Sequence, residues 1–414
     1  MKRGQFLLIY LLTYPLRLLS FKAIHGVGRT LGSCLYYLIP KFRKRALSNV
    51  ALATTLYLSP KQILKTAKRS LQNLAITFLE YAKLDSIDSV EELVTCVNPE
   101  TAEKLMQEGK PPIFFCGHQA NWELLFLEGT RRMKGVAIGR PVKNAFLYDY
   151  VLRIRQKYGG KIVHPKQAIK EGLRALKQGA FLGIVGDQGM PDSGYSSLFF
   201  GRLAWTSPMP ALLAHRTGSP IIVATTERTK KGRYLIHYSD PLFPNLEAPA
   251  HQEVDRLMQA SLALLENSIR KHPDEWLFIH NRWKQQTPGI VKKQFRHEAI
   301  LIILPSEKEA MTMRTSYEEL FGLLIEIKAL YPKEFITIYS PTGITPSIAC
   351  EEVIHYRTKQ ELFFTDYKFK LLFNFTPHRA LCSHFKKQSV FTTVDLPILL
   401  KKGTGYLCQA AATM

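Results

Sequence analysis

The residues best arranged for chemistry lie in Pro111-Pro112-Ile113-Phe-Phe-Cys116-Gly117-His118-Gln119-Ala120-Asn121-Trp122-Glu123. A histidine with a carboxylate five residues later is a candidate general base with an orienting acid. On a regular helix that spacing turns the side chains by about 500°, leaving them about 140° apart. The pair can bond only if His118 stands in a turn and Glu123 in the first turn of the helix that follows. Glu123 is then expected to reach back to one ring nitrogen and fix the tautomer, leaving the other to take a proton from a hydroxyl. The spacing alone says little, because 12 histidines and 34 carboxylates in 414 residues give about one such pair by chance. The surroundings say more. The apolar run 113–116, bounded by Pro112 and Gly117, predicts a buried strand; Asn121 suits the N-cap of a helix starting at Trp122, and Glu123 suits its electropositive first turn.

The elements around this block alternate. Short apolar strands at 136–138, 162–163 and 181–185 are separated by helical patterns near 148–158 and 167–177. Beyond them a helix at 210–216 precedes strands at 221–225 and 234–238. Val254, Leu257, Met258, Ser261, Leu262, Leu265 and Ile269 then mark one stripe of a long helix, and 276–280 reads as a final strand. This is an α/β pattern. Loops at strand ends carry His118, Asp187 and Arg282, so residues distant in sequence can converge at one sheet edge. Asp187-Gln188 follows its strand directly and presents either a polar pair at the edge or an Asx turn closed by Gly189. Arg140, held by Pro141, has the guanidinium fork that suits a phosphate, and Lys143 is a second cation beside it. The apolar loop around Phe199 and Phe200 either plugs the core or lines a groove for an apolar ligand. Residues 276–284 set Arg282 and Lys284 among aromatics, a composition suited to an anionic interface.

Composition narrows the partners. The net charge is +22, and no aspartate or glutamate precedes Glu80 whereas thirteen lysines and arginines do. These cations are interleaved with apolar runs such as 6–12 and 35–39, which points to an anionic membrane surface and away from nucleic acid. Pro15 and Arg17 break the first run short of the ~20 residues of a clean span, so an uncleaved interfacial helix is expected. The six cysteines show no Cys-X-X-Cys pairing or zinc spacing, which argues for a reducing compartment and against a structural metal. Cys116 reads as a small buried residue more readily than as a nucleophile. No Gly-X-Ser-X-Gly, Walker or Gly-X-Gly-X-X-Gly motif follows a strand.

Five blocks in order carry a resemblance: Gly117-His118-Gln-Ala-Asn121-Trp122-Glu123, Gly139-Arg140-Pro141-Val-Lys143-Asn144, Gly186-Asp187-Gln188-Gly189, Phe199-Phe200-Gly201 with Thr206, and Thr217-Gly218-Ser-Pro220. Over roughly residues 1–290 the chain resembles the membrane-associated late lipid A biosynthesis acyltransferases, of the Kdo2-lipid IVA lauroyl/myristoyl type. It departs at Gln119-Ala120, where small residues including glycine are more usual.

The resemblance implies transfer of a fatty acyl chain from acyl carrier protein to a hydroxyl of a lipid A precursor. His118 and Glu123 would be catalytic, with no acyl-enzyme, and Asn121, Arg140, Lys143, Asp187, Gln188, Phe200 and Arg282 would bind substrate. It implies no cofactor or metal, and a place on the cytoplasmic face of the inner membrane. The fold it implies is glycerol-phosphate acyltransferase-like: a mixed central sheet flanked by helices, with an N-terminal membrane-anchoring helix. Three parts are expected: an anchoring segment over 1–40, an acyltransferase domain over 41–295, and a small α/β extension over 296–414, where 299–304, 317–330 and 335–339 read as strand, helix and strand. The alternatives are another acceptor lipid, although the Phe-Pro-Glu-Gly-Thr block usual in glycerol-phosphate acyltransferases is missing, and a non-enzymatic basic membrane binder.

Overall fold

The computed structural model describes residues 2–409 and divides into two compact units. The first runs to Leu38 and resumes over Lys65–Phe278; the second holds Ile39–Leu64 and the described residues from Ile279. Residues 41–64 and 279–295, read from sequence with the acyltransferase domain, thus group with the C-terminal extension.

The first unit begins with three helices: α1 (Lys2–Thr13), α2 (Phe21–Leu38) and, after α3 (Pro40–Leu52) of the second unit, α4 (Pro60–Leu84), through which the division passes. Its centre is a seven-stranded sheet of β1 (Val94–Cys96), β2 (Ile113–Cys116), β3 (Gly135–Ile138), β4 (Lys161–Val163), β5 (Phe181–Val185), β8 (Ile221–Arg228) and β9 (Tyr234–Tyr238). The order is β1-β9-β8-β2-β5-β3-β4, and only the β8–β9 pair is antiparallel. Strands β6 (Ser196–Phe199) and β7 (Arg202–Trp205) form a separate hairpin. The connecting helices are α5 (Glu100–Gln107), α6 (Glu123–Arg132), α7 (Ala145–Arg155), α8 (Ala168–Lys177), α9 (Met209–Thr217) and α10 (Ala250–Lys271). All four residues of β2 are buried, as a central parallel strand covered on both faces requires. The buried face of α10 carries the predicted stripe.

Parallel pairing puts the C-terminal ends of β2, β5 and β3 at one edge, so the loops bearing His118, Asp187-Gln188 and Arg140 share it. One predicted strand is not formed. Residues 276–280 make only the isolated bridge Gln119–Trp276. The backbone there is satisfied otherwise: Leu277 N–H donates to the His118 carbonyl (3.0 Å), Phe278 N–H donates to Ser70 Oγ (3.0 Å), and Ser70 donates to the Trp276 carbonyl (2.5 Å). The segment is a strap across the His118 turn.

Helix α1 is 12 residues long and exposes Leu7, Leu8, Ile9, Leu11 and Leu12. Among the described residues no helix is long and apolar enough to cross a membrane.

The second unit holds a five-stranded sheet, all parallel, of β10 (Ala299–Ile303), β11 (Phe335–Pro341), β12 (Glu352–Tyr356), β13 (Leu371–Asn374) and β14 (Thr392–Asp395), in the order β12-β11-β10-β13-β14. Helix α11 (Glu307–Thr312) and helix α12 (Tyr317–Leu330) both start on Ser–Glu capping boxes, and α13 (Arg379–Gln388) and α14 (Leu396–Lys402) complete the unit. The first strand is central and the chain winds outward to both sides, the doubly wound arrangement.

Candidate active site

His118 lies in the turn between β2 and α6, its ring side chain about one-eighth exposed. The partner of Nδ1 is Asp187, whose Oδ1 lies 2.6 Å away. Its other oxygen, Oδ2, accepts the His118 backbone N–H and the Trp276 indole N–H, each at 2.7 Å. Burial pushes the Asp187 carboxyl up, but the imidazole, the His118 amide and the Trp276 indole outweigh it and hold the group well below the usual carboxylate range. Asp187 is therefore an ionised, nearly inaccessible acceptor. Nδ1 carries the proton toward it, and the basic lone pair is at Nε2. Gln188 Nε2 sits 3.2 Å from that nitrogen, in a position to donate to it.

Glycine at 117 makes this approach possible: a Cβ there would lie 3.0 Å from Asp187 Oδ2 and 3.0 Å from Leu265 Cδ1. The opposite strain sits at Ala120, a non-glycine residue with φ +48°, fully buried in the same turn. Ala120 N–H donates to the Glu275 carbonyl (2.9 Å), and its own carbonyl accepts from Thr77 (3.0 Å) and Asn73 (3.2 Å). Three hydrogen bonds hold a backbone conformation that costs an alanine about 1 kcal/mol or more. This explains why glycine suits the position at which the sequence departs from its resemblance.

The expectation that Glu123 orients His118 is corrected. Glu123 is buried, and its carboxylate is gripped by Arg155 through Nη2 (2.6 Å) and Nε (2.7 Å) and by the Trp122 indole (3.1 Å); Arg155 in turn reaches the Tyr81 hydroxyl (3.3 Å). Burial raises the Glu123 carboxyl, Arg155 overrides it, and the net shift is downward. Glu123 bears on His118 through its charge, while Asp187 makes the bond. The reason is the turn: Asn121 Oδ1 caps the Glu123 N–H (3.2 Å), which starts α6 with Glu123 facing Arg155 on α7.

Asn121 is fully buried, with both ends of its amide committed: Oδ1 to that cap and Nδ2 to Glu80 (2.7 Å). It is a framework residue and not a substrate contact. Arg140 and Lys143 are exposed in the loop after β3, at the His118 edge of the sheet. Phe199 and Phe200 are fully buried, so the tip of the hairpin plugs the core, whereas Leu198 and Leu203, paired across it, are more than half exposed. Phe200 takes φ +50° beside Gly201, φ +81°, as a two-residue hairpin turn demands, and its ring lies 6.3 Å from that of Trp276. It thus backs the residue that bonds Asp187. Arg282 belongs to the second unit and is fully buried with Trp283, which corrects its assignment to an anionic interface or to the lipid. Cys116 is buried; burial and the charges of Asp187 and Glu123 push its thiol far up, and a protonated thiol is no nucleophile.

Sequence reasoning missed Arg155, Trp276 and the bonding role of Asp187. Asp187 is 69 residues from His118, and only the strand order brings them together. The one legible signal was that both follow apolar strands immediately.

Residues 2–285 match the family described as bacterial lipid A biosynthesis acyltransferase. A search of curated proteins found no significant match.

Proposed function

Because the chain belongs to the bacterial lipid A biosynthesis acyltransferase family, we propose that it moves a fatty acyl chain from acyl carrier protein to a hydroxyl of a lipid A precursor, with His118 as the general base. The observation that carries this reading is the Asp187–His118 bond at 2.6 Å, which leaves the basic lone pair on Nε2. A 3-hydroxyacyl chain places its hydroxyl at Nε2, where Gln188 now lies 3.2 Å away, and Gln188 swings aside or holds the oxygen. The proton passes to Nε2 as the oxygen attacks the thioester carbonyl, and the imidazolium formed is stabilised by Asp187. Collapse expels the thiolate of the carrier's arm, which takes the proton back from His118. No acyl-enzyme intervenes, and the step calls for no metal or cofactor. Glu123, paired with Arg155, is the first residue of α6, which the Asn121 cap starts.

Arg140 and Lys143 are exposed cations suited to the phosphates of the acceptor or of the carrier's prosthetic arm. An acidic carrier is steered by the +22 charge, an effect that weakens with salt. The exposed leucines of α1, beside Lys2 and Arg3, suit seating in the interface of an anionic membrane, with the site on the cytoplasmic face of the inner membrane.

The test is incubation of purified protein, and of His118→Ala, with a sugar-capped tetraacyl lipid A precursor and a mixture of acyl carrier proteins, read by mass spectrometry. A gain of one acyl group that needs His118 supports the reading and reports the chain length. Folded protein that yields no gain with any donor refutes this acceptor.

A further inference from the structure

Helix α4 carries a polar stripe that no interior helix face needs for packing. Ser70, Asn73, Thr77 and Glu80 recur at the three- and four-residue spacing of one face, with Tyr81 next to it, and the first four are buried. Each bonds to the His118 turn, its strap or the grip on Glu123. Ser70 holds the Trp276 carbonyl and the Phe278 amide, Asn73 holds the Ala120 and Glu275 carbonyls, and Thr77 holds the Ala120 carbonyl. Glu80 takes Asn121 Nδ2 at 2.7 Å, and Tyr81 faces Arg155.

Glu80 is the unusual member, a carboxylate with no exposed surface. Its Oε1 also meets His25 Nε2 at 2.5 Å, and the Tyr234 hydroxyl lies 2.9 Å from Oε1 and 2.8 Å from Oε2. Arg228 Nε donates to the Tyr234 oxygen (2.9 Å), so the phenol hydrogen is aimed at Glu80. His25 sits on α2, and α2 is seated hard on α4: a Cβ at Gly28 would come within 2.5 Å of Ile76, and one at Gly32 within 2.3 Å of the Gln72 backbone. The seat fixes where His25 can be. The same carboxylate thus joins α2 to the catalytic turn.

We propose that Glu80 is a positioning residue for acyl transfer, tying the seating of α2, through His25, to the His118 turn, through Asn121. A buried carboxylate is costly unless its lone pairs are filled, so loss of either donor unsettles how the other is held. Activity then depends on α2 lying in its groove. The proposal rests on the reading of His118 as the base.

The test is a double-mutant cycle on His25→Ala and Asn121→Ala, residues that each bond Glu80, in the full chain at a temperature where every variant is folded. Each single change is expected to lower kcat about tenfold with KM for the lipid held, and the double change to be no more than about threefold worse than the poorer single. Tyr234→Phe, which takes one donor from Glu80 and the acceptor from Arg228 Nε but leaves His25 and Asn121 on the carboxylate, provides a milder variant and is expected to lower kcat about threefold. Independent effects that multiply to about a hundredfold, or a fall in melting temperature with kcat unchanged, overturn the proposal. A second readout needs no acyl transfer: the pH dependence of carbethoxylation of His118, followed by peptide mass spectrometry. His25→Ala and Asn121→Ala should displace it in the same direction and the double variant no further. Additive displacements, or none, refute the coupling. Wild type that transfers no acyl group sinks the functional reading alone, and the carbethoxylation cycle then decides the coupling.

Discussion

Replacing Asp187 with asparagine tests the site more sharply than removing it. Two donors, the His118 backbone N–H and the Trp276 indole N–H, converge on Oδ2 at 2.7 Å each. In Asp187→Asn they fix the amide oxygen at that place, because an NH2 group there would face two hydrogens with nothing to accept them. The amide nitrogen must then point at His118 Nδ1, 2.6 Å away in the wild type. Nδ1 has to become an acceptor, the proton moves to Nε2, and the lone pair that takes the hydroxyl proton disappears. The shape is kept and the tautomer is wrong. In the Ser-His-Asp template the same exchange costs about 10⁴ in kcat, so a loss of about 10³–10⁴-fold is expected, with KM for the lipid within about threefold. The assay is acyl transfer counted by mass spectrometry, with the melting temperature as control for folding. A variant retaining a fifth or more of wild-type kcat would refute the orienting role of Asp187.

Glu123→Gln is expected to act on stability first: it leaves the partly buried Arg155 guanidinium without its anionic partner, and the loss should be about 2 kcal/mol in urea unfolding, with a change below about 1 kcal/mol counting against the pair. Ala120→Val should cost at least about 2 kcal/mol, since a branched side chain meets both φ +48° and a fully buried site, whereas Ala120→Gly should stay within about 1 kcal/mol because relieved strain and added chain entropy oppose each other; equal losses in the two variants would dismiss backbone strain as the reason. His297, stacked on Phe391, has its ring lowered from 6.5 to about 4, chiefly by burial. On acidification the unfolded chain binds that proton first, so stability is unaffected above pH 6.5 and falls by about 1–3 kcal/mol between pH 6.5 and 4. Urea midpoints across that window should show the loss, and His297→Leu should remove it; identical slopes in the two proteins would exclude His297 as the cause.

Much of the frame was readable from the chain. Phe181–Val185, Tyr234–Tyr238 and Tyr317–Leu330 form where the pattern put them, because long apolar runs and helical stripes report burial directly. The run 276–280 failed for a matching reason: an apolar run reports burial but not what its backbone bonds to, and here a side chain on α4 and the carbonyl of His118 replace a neighbouring strand. The hydrophobic reading of Phe200 allowed two outcomes, and only tertiary contact with Trp276 decides for the plug. The site splits in the same way. His118 and its turn are local and legible, whereas the choice of Asp187 over Glu123 is set by strand order and by Arg155 on another helix. The α4 stripe was not read from the sequence, because Ser, Asn and Thr at helical spacing suit a solvated face, and only their burial shows that the face is interior.

Two carboxylates stand near one imidazole, and their different fates follow from what a base must do. Two uncompensated anions beside His118 would favour its cation, and a cation cannot accept a proton from a hydroxyl. Arg155 lessens that difficulty by closing on Glu123 with two nitrogens, so that the charge of Glu123 acts on the ring only in part. Asp187 keeps its full charge, but it is spread over three donors, one of them the ring itself. The anion is thereby stiff enough to fix the tautomer and still able to stabilise the imidazolium as the proton arrives. A site built the other way, with Asp187 neutralised and Glu123 unpaired, would place the compensating charge at the start of α6, where the helix dipole already stabilises an anion and the extra negative charge would help the ring less.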